Sequence, residues 1–338
     1  MTLLGTDLPI VGAPMAGGTT TVDLAAAVTG AGGLGFLAAG YRTPDDLAAQ
    51  VAALRERTHQ LGVNLFVPSD ERPDPAALRA YAERLRPVAD AFGVTLTDPP
   101  LVDDDHWDAK VDLLTSDPVP LVSLTFGLPP REDVRRLQQP GSSVLATVTT
   151  AAEAREAEAL GVDGLVVQGP SAGGHSATFD PRRTIEDVPT ADLVRAVRAA
   201  TRLPVVAAGG VAGPADVREL LAAGAEAVQV GTLLLRTDES GANRTHRDAL
   251  VDPRFTETVV THAFTGRPAR ALRNAFADEH GEDAPVAYPA VHHLTRELRA
   301  TAARVGDAEH VHLWAGTGYR HAPTGPAADV VRALTEDL

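Results

Sequence analysis

Short apolar runs alternate along the chain with segments in which apolar residues recur at helical spacing. Eight of these runs predict β-strands, at residues 10–13, 35–38, 63–66, 121–126, 144–148, 164–168, 205–208 and 227–230. The segment after the seventh run predicts a helix from Pro214 to Gly224, with Val217, Leu220 and Leu221 on one face. This alternation indicates a parallel sheet, and eight strands close a (β/α)₈ TIM barrel. A doubly wound open sheet fits the alternation too, but the even spacing favours the barrel.

The same pattern divides the chain into a barrel, residues 1–252, and a C-terminal extension, residues 253–338. A helical insertion at about residues 70–118 separates the third and fourth predicted strands. The extension holds an alternating run at 256–264, a turn at 265–268 and a helix around 294–305. We expect the extension to pack over the barrel mouth as part of the same functional unit. A tail packed in this way could form a homodimer surface.

The amino-acid composition limits which residues form the core and which kinds of site the chain can contain. Apolar residues make up 44% of the 338 positions and aromatic residues only 4%, so Ala, Val and Leu must form most of the core. The chain has no cysteine, which excludes disulfides, a thiolate nucleophile and a thiolate metal site. We predict no other metal site.

The net charge of −15 makes nucleic acid an unexpected partner, since no basic stripe offsets it. An anionic ligand must therefore be captured locally, by a helix N-terminus, a histidine or an arginine. No apolar stretch approaches the ~20 residues needed to cross a bilayer. Residues 1–9 do not join a basic start to a long apolar run. The sequence predicts a cytoplasmic protein with no membrane association.

Glycine turns follow the last two predicted strands, Gly209-Gly210 after the seventh and Gly231-Thr232 after the eighth. In barrels the loops after these strands often form a phosphate site, helped by a helix N-terminus. Glycine lets backbone N–H groups approach phosphate oxygens, and the Thr232 hydroxyl can donate one more hydrogen bond. Either pair could be only a tight turn, but two such turns on adjacent strands favour phosphate binding.

A glycine-rich loop at 169–174 follows the sixth predicted strand and leads to His175. Gln168 ends that strand, and a buried amide there needs hydrogen-bond partners, which a flavin ring would supply. Gly173 and Gly174 can bring the backbone close to a ligand. His175 has an ordinary pKa near neutrality, so it can take or give a proton. A loop histidine is often only structural, but this position at the barrel rim favours a catalytic role.

Three further segments belong to the same mouth. Ala13, Pro14 and Met15 open a small glycine-rich turn at the end of the first strand, where a flat ring can lie against backbone. Asn64 is a polar residue within an apolar strand, either a satisfied core amide or a rim residue that points at a cofactor. Aromatic residues beside glycines at 314–319 suit either a lid or simple packing of the tail.

Together these segments resemble the nitronate monooxygenase family, formerly grouped as 2-nitropropane dioxygenases, over most of the chain. Residues 13–18 and 31–35 are similar to its opening motif, 168–175 to its Gln-Gly-x-x-Ala-Gly-Gly-His signature, and 265–270 to its Gly-Arg-Pro-Ala-Arg motif. The resemblance implies a TIM barrel, FMN, oxidation by dioxygen and His175 as the catalytic histidine. The FMN contacts that it implies are Asn64, Gln168, Gly173, Gly210, Gln229, Val230, Gly231 and Thr232. The turns themselves add Ala13, Pro14, Met15, Gly174 and Gly209 to the predicted cofactor site.

Three positions depart from the family pattern. Ser171 stands where many members have Glu, and Thr125 where some have a second histidine. Thr317 stands within Gly-Thr-Gly, where Gly-Gln-Gly is more usual. We expect these segments to line the pocket, so the departures affect the substrate more than the cofactor.

The resulting hypothesis is FMN-dependent oxidation of an alkyl nitronate by dioxygen, giving an oxo compound and nitrite. His175 would bind the nitronate oxygens in protonated form, or deprotonate a neutral nitroalkane. The first alternative is an FMN-dependent NAD(P)H enoyl reductase, because such enzymes share the barrel and a similar Ala-Gly-Gly-His loop. No strand here leads into a separate Gly-x-Gly-x-x-Gly nucleotide fingerprint.

A third hypothesis is a flavin-free lyase or isomerase that holds its substrate by a phosphate. Such enzymes often use a Schiff-base lysine or a carboxylate base, and Lys110, the only lysine, lies outside the predicted strand ends. A purely binding or structural role is least favoured, because three sets of polar and glycine residues converge on one rim.

Overall fold

The computed structural model describes residues 4–69, 72–336 and 338, and its strands form a closed barrel and a small sheet. The strands are β1 (Ile10–Gly12), β2 (Leu34–Ala38), β3 (Gly62–Phe66), β4 (Leu121–Thr125), β5 (Ser143–Val148), β6 (Gly164–Gln168), β7 (Gly174–His175), β8 (Val205–Ala208), β9 (Ala227–Val230), β10 (Thr258–Thr261) and β11 (Ala269–Leu272). The parallel barrel has the order β1-β2-β3-β4-β5-β6-β8-β9. It closes where β9 pairs with β1, with Val11 opposite Gln229. All eight predicted barrel strands are confirmed.

Helices follow most of the barrel strands. Those in the described residues are α1 (Val22–Gly30), α2 (Pro44–Arg55), α3 (Pro75–Ala91), α4 (Trp107–Ser116), α5 (Arg131–Gln138), α6 (Ala151–Leu160), α7 (Thr190–Ala200), α8 (Pro214–Ala222), α9 (Arg244–Ala249), α10 (Ala275–His280), α11 (Ala290–Val305) and α12 (Ala327–Leu334). Local chemistry sets their ends: in α6, Thr150 accepts a hydrogen bond from the Glu153 backbone N–H, and Gly161 ends the helix at φ +98°. Across the described part of the chain, no helix is both long and apolar enough to span a membrane.

Side chains inside the barrel change character from one end to the other. A buried apolar cluster fills the N-terminal half, with Val11, Leu34, Phe36, Leu121 and Leu145 among its members. Further along the barrel, polar side chains near the C-terminal ends of β3, β4, β5, β6 and β9 line a cavity. Because apolar side chains fill the N-terminal end of the barrel, the open space lies at its C-terminal mouth. Barrel enzymes carry their active sites at this end.

The C-terminal extension packs over this mouth, as predicted. Strands β10 and β11 pair antiparallel, and β11 also pairs with β7 in the loop after β6. His175 therefore lies opposite Ala269 in a three-stranded sheet that joins the barrel loop to the tail. The alternating run predicted at 256–264 is a strand only at Thr258–Thr261. The loop that carries His175 is thus held by residues almost a hundred positions later.

The predicted insertion consists of helices α3 and α4, and it packs on the extension. Leu78, Tyr81 and Leu85 of α3 share a buried cluster with Phe264 and Phe276 of the tail. The Tyr81 hydroxyl donates a hydrogen bond of 2.6 Å to the Ala263 carbonyl. Residues 1–3, at the start of the predicted barrel region, and residues 70 and 71, at the start of the predicted insertion, lie outside the described residues. The boundary at residue 252 stays a prediction.

Lys110 is a buried part of α4 and has a structural environment. Its Nζ donates to the Ala39 carbonyl at 2.9 Å and pairs with Asp105 at 2.7 Å. Only 1% of the residue is exposed, and it does not line the cavity at the barrel mouth. This placement agrees with the sequence argument against a Schiff-base role.

We expect Lys110→Met to lower the free energy of unfolding by about 3 kcal/mol, because it leaves Asp105 without its partner. Urea denaturation measures the effect, and the double variant with Asp105→Asn should recover part of the loss. An unchanged unfolding midpoint in Lys110→Met would contradict a structural role for this ion pair.

Candidate active site

A cavity of about 350 Å³ lies at the C-terminal mouth of the barrel, between the strand ends and the C-terminal extension. Its lining includes every residue that the sequence placed in the candidate site: Ala13, Pro14, Met15, Asn64, Gln168, Gly173, Gly174, His175, Gly209, Gly210, Gln229, Val230, Gly231 and Thr232. The volume falls in the range of small-molecule sites. The structure thus brings five separate segments together, while the ligand contacts assigned to them stay predictions.

The two glycine turns present backbone donors at one end of the cavity. Gly209 and Gly210 have φ values of +105° and +84°, a conformation that residues with a side chain rarely adopt. Within the described residues, nothing accepts a hydrogen bond from the backbone N–H of Gly209, Gly210 or Gly231. Thr232 Oγ1 accepts from the Gly316 N–H at 2.9 Å, so its own proton is available. These donors suit an anionic group.

A carboxylate of α8 fixes the loop between the Gly209-Gly210 turn and this helix. Asp216 Oδ2 accepts hydrogen bonds from the backbone N–H groups of Ala212 at 2.7 Å and Gly213 at 3.0 Å. Both donors precede the helix, so this carboxylate fixes the loop that leads into α8 and does not occupy the N–H groups of its first turn. The help expected from a helix N-terminus stays a prediction.

A polar network crosses the cavity wall on strands β3, β4 and β5. Asn64 Nδ2 donates to the hydroxyl oxygens of Ser123 and Thr125, each at 2.9 Å. The hydroxyls of Thr125 and Thr147 lie 3.3 Å apart and continue the network. All four side chains line the cavity. Asn64 thus combines the two sequence interpretations, because its amide is bonded to the barrel and also borders the open space.

Gln168 holds the loop that carries His175. Its Nε2 donates to the His175 carbonyl at 3.0 Å, and its Oε1 accepts from the Ala177 N–H at 2.8 Å. The expectation that this amide needs a flavin for its hydrogen bonds is wrong, since the protein backbone supplies a partner for each end. Gln168 still lines the cavity, and its observed bonds give it a positioning role.

We expect Gln168→Leu to destabilise the protein by about 1–3 kcal/mol, because the Ala177 N–H loses its partner. The same change should slow turnover by releasing the backbone at His175. Thermal unfolding and steady-state kinetics measure the two effects, and Gln60→Leu, at an exposed position, is the matched control. Wild-type kinetics in Gln168→Leu would show that this bond does not position the loop.

His175 is enclosed by aromatic rings and held at one ring nitrogen. Its Nε2 lies 2.9 Å from Thr265 Oγ1. The ring centroids of Phe126, Tyr288 and Trp314 lie 5.4, 5.5 and 5.4 Å away. Burial, then the charges of Arg267 and Arg299, lower the pKa of His175 to about 3. These causes favour a neutral ring at neutral pH over the protonated His175 of the sequence hypothesis.

The cavity also contains residues that sequence reasoning missed. His246, His292, Arg299 and His312 all line it, and all come from the last hundred residues. His292 and Arg299 stand seven positions apart on α11, so they share one helix face. Arg299 Nη2 lies 3.2 Å from His292 Nδ1. Since a guanidinium only donates, the neutral His292 ring carries its proton on Nε2. The helical spacing was the available signal, but it does not say which cavity the face meets.

The three departures from the family pattern differ in position. Ser171 and Thr125 line the cavity, as expected. Thr317 is exposed and lies outside the lining, although Gly316 and Gly318 on either side of it belong to the lining. A Cβ at Gly316 would lie 2.7 Å from the Ser171 carbonyl oxygen, which shows how closely the tail backbone packs on the histidine loop.

Comparisons with known proteins identify the family to which the chain belongs. The family model described as nitronate monooxygenase matches residues 2–337. A probable nitronate monooxygenase from Staphylococcus aureus is 34% identical over 341 residues, covering 99% of this chain and 96% of that protein. A nitroalkane oxidase from Streptomyces ansochromogenes has 48% identity and a TM-score of 0.94, covering 98% of this chain and 96% of that one. FabK from Thermotoga maritima has 29% identity and a TM-score of 0.74, with coverages of 98% and 93%. The chain therefore belongs to the nitronate monooxygenase family and is an oxidoreductase built on a TIM barrel.

Proposed function

We propose that the cavity binds FMN and that the protein oxidises alkyl nitronates with dioxygen, giving an oxo compound and nitrite. The observation that carries the proposal is the arrangement of the cavity. Open backbone N–H groups at Gly209, Gly210 and Gly231 line the same cavity as His175. An elongated ligand with a phosphate at one end and a reacting ring at the other fits this arrangement.

The residues present suit FMN in chemistry as well as in shape. The glycine turns and the Thr232 hydroxyl would hold the phosphate, since they offer donors without a competing carboxylate. The small residues Ala13 and Pro14 leave room for a flat ring against the β1 turn. Asn64 on β3 and Gln229 on β9 add amide groups to the same cavity lining. When bound, FMN supplies the electron chemistry that no side chain here can perform.

The protein's own contribution is to bind and orient the nitronate and to exclude water around it. The neutral His175 ring can donate one hydrogen bond and accept another. Donation to a nitronate oxygen would fix the substrate, and acceptance of the α-proton would convert a neutral nitroalkane to its nitronate. The aromatic rings of Phe126, Tyr288 and Trp314 around His175 provide an apolar chamber for the alkyl part.

The deciding experiment is anaerobic stopped-flow absorbance of the purified flavin-loaded protein, mixed separately with propyl-2-nitronate and with NADPH. Bleaching of the flavin by the nitronate and none by NADPH would support the proposal. Reduction by NADPH alone would instead favour the enoyl reductase alternative. Heat release of the bound cofactor, followed by chromatography, identifies it as FMN. A colourless protein that takes up no FMN on reconstitution would overturn the flavin proposal.

A further inference from the structure

Arg299 is a buried cation that lines the cavity. Only 4% of the residue is exposed, although it carries a full guanidinium charge. Its Nε donates to Thr295 Oγ1 at 3.0 Å, and its Nη2 contacts His292 Nδ1 at 3.2 Å and donates to the His292 carbonyl at 3.1 Å. Within residues 4–69 and 72–336, nothing accepts a hydrogen bond from Nη1, and no carboxylate forms an ion pair with the group. One end of the guanidinium is thus without a protein partner.

The surroundings of Arg299 do not neutralise it. The titratable and charged groups that interact with it, from α3, α11 and the flanking loops, are Tyr41, Tyr81, His175, Tyr288, His292, Arg296 and His312. None of them is a carboxylate. Burial lowers the pKa of Arg299 to about 10, so the group keeps its charge at neutral pH. Its charge in turn helps to lower the pKa of His175, where Arg267 contributes more, and the pKa of His292 and His312.

The residues that line the cavity do not neutralise Arg299 either. The chain has 45 acidic residues, yet among the described residues that line the cavity there is no Asp or Glu, and Arg299 is the one Lys or Arg. A buried charge is costly unless it is paired. Many carboxylates are available in this acidic protein, and several pair with surface arginines, yet none pairs with this buried one among the described residues. The missing counter-ion is therefore expected to come from a ligand.

We propose that Arg299 is the binding group for the negative charge of the substrate, an oxyanion such as an alkyl nitronate, and that it selects the anion over the neutral nitroalkane. The proposal rests on the proposed function for the identity of the substrate. The capture of a small oxyanion by Arg299 is independent of it. Nη1 would donate to an anion oxygen, and the Nε2–H of His292, which also lines the cavity, is the second donor. No proton is transferred in this binding step.

Kinetics of two variants test the selection. Arg299→Gln should lower kcat/KM for propyl-2-nitronate by about 10–100-fold, because a charge-assisted hydrogen bond is lost, and should change kcat/KM for neutral 2-nitropropane much less. Arg299→Lys keeps the charge and should recover part of the preference for the anion. Arg296→Gln removes an exposed arginine of the same helix and is the matched control. An equal loss for both substrates in Arg299→Gln, with the flavin still bound, would overturn the selection.

Binding of nitrite to the wild-type holoenzyme gives a second test that needs no variant. Nitrite is an anion throughout pH 6 to 9, and isothermal titration calorimetry measures its dissociation constant. If Arg299 holds the anion, the constant should stay within about threefold over this range. A tenfold weakening per pH unit above pH 6.5 would assign the anion to a protonated histidine instead and overturn the proposal.

The two tests separate this proposal from the proposed function. Nitrite binding that is lost in Arg299→Gln, in a protein that no nitronate reduces, would keep the anion site and remove the nitronate reaction. Nitronate oxidation that is undiminished in Arg299→Gln would keep the reaction and remove Arg299 from substrate binding. If Arg299→Gln does not fold, the dissociation constants of nitrite for Arg299→Lys and for the wild type across pH test the anion site instead.

Discussion

Replacement of His175 by alanine is expected to slow the reduction of the flavin by propyl-2-nitronate about 10²–10⁴-fold, while FMN remains bound. The range is the usual cost of losing a well-placed acid–base or hydrogen-bonding group. FMN should stay because the open donors at Gly209, Gly210 and Gly231 belong to other strands. Anaerobic stopped-flow absorbance measures the rate, and the flavin-to-protein ratio measures retention of the cofactor.

Two controls make the result specific. His59→Ala changes an exposed histidine and should leave the reduction rate unchanged. Because the pKa of His175 is lowered to about 3, the wild-type ring is neutral across pH 5 to 9 and gains its proton only well below that range. Its titration should therefore produce no inflection near pH 6.5 in kcat/KM with preformed nitronate. A reduction rate in His175→Ala equal to the wild-type rate would remove this residue from the mechanism.

The barrel and the glycine turns that line one end of the cavity were predictable because they depend on local patterns. Each barrel strand is a short apolar run between helices, and the pairing of β9 with β1 confirms the count. The glycine turns at Gly209-Gly210 and Gly231-Thr232 follow adjacent strands, so parallel pairing alone brings them together. His175 was found in the same way, since it stands a few residues after the end of β6.

The part of the cavity wall that the extension forms was not predictable, because it depends on contacts that local sequence does not encode. Thr265 meets His175 across 90 positions, and Arg270 Nε bonds the Pro170 carbonyl at 2.7 Å across 100. Arg299 and His292 share a helix face, but the cavity that this face meets is set by how α11 packs on α3 and α9. The correction at Gln168 has a similar origin, since its amide found partners in nearby backbone that the sequence pattern could not place.

Both ends of the cavity are suited to negatively charged groups. The protein has a net charge of −15, which repels anions at long range. The cavity reverses this locally, with neutral backbone donors at the glycine turns and one buried guanidinium at the far end. Both ends can thus attract negative groups without a basic surface, and the neutral histidines between them add donors without adding charge. An FMN phosphate and a nitronate would each meet the part of the cavity whose donors match it.

Replacement of Gly209 by valine is expected to weaken FMN binding about 10²–10⁴-fold, from the loss of two charge-assisted hydrogen bonds at the phosphate. A Cβ at this position would lie 2.9 Å from the backbone nitrogen and the Cβ of Ala172, and φ is +105°. A β-branched residue cannot adopt that conformation without strain, so the turn must move. Its N–H groups would then no longer point towards the phosphate. Fluorescence titration of the apoprotein with FMN measures the dissociation constant.

Gly141 provides the matched control for backbone strain, because its φ is +113° and a Cβ there would meet nothing within 4 Å. Gly141→Val should lose about 1–3 kcal/mol of stability, as Gly209→Val also should, yet it should keep the wild-type affinity for FMN. Different FMN affinities at similar loss of stability would locate the phosphate at the Gly209 turn. A wild-type affinity for FMN in both variants would show that the phosphate does not bind at this turn. The open N–H groups of the turn would then belong to the site of another ligand.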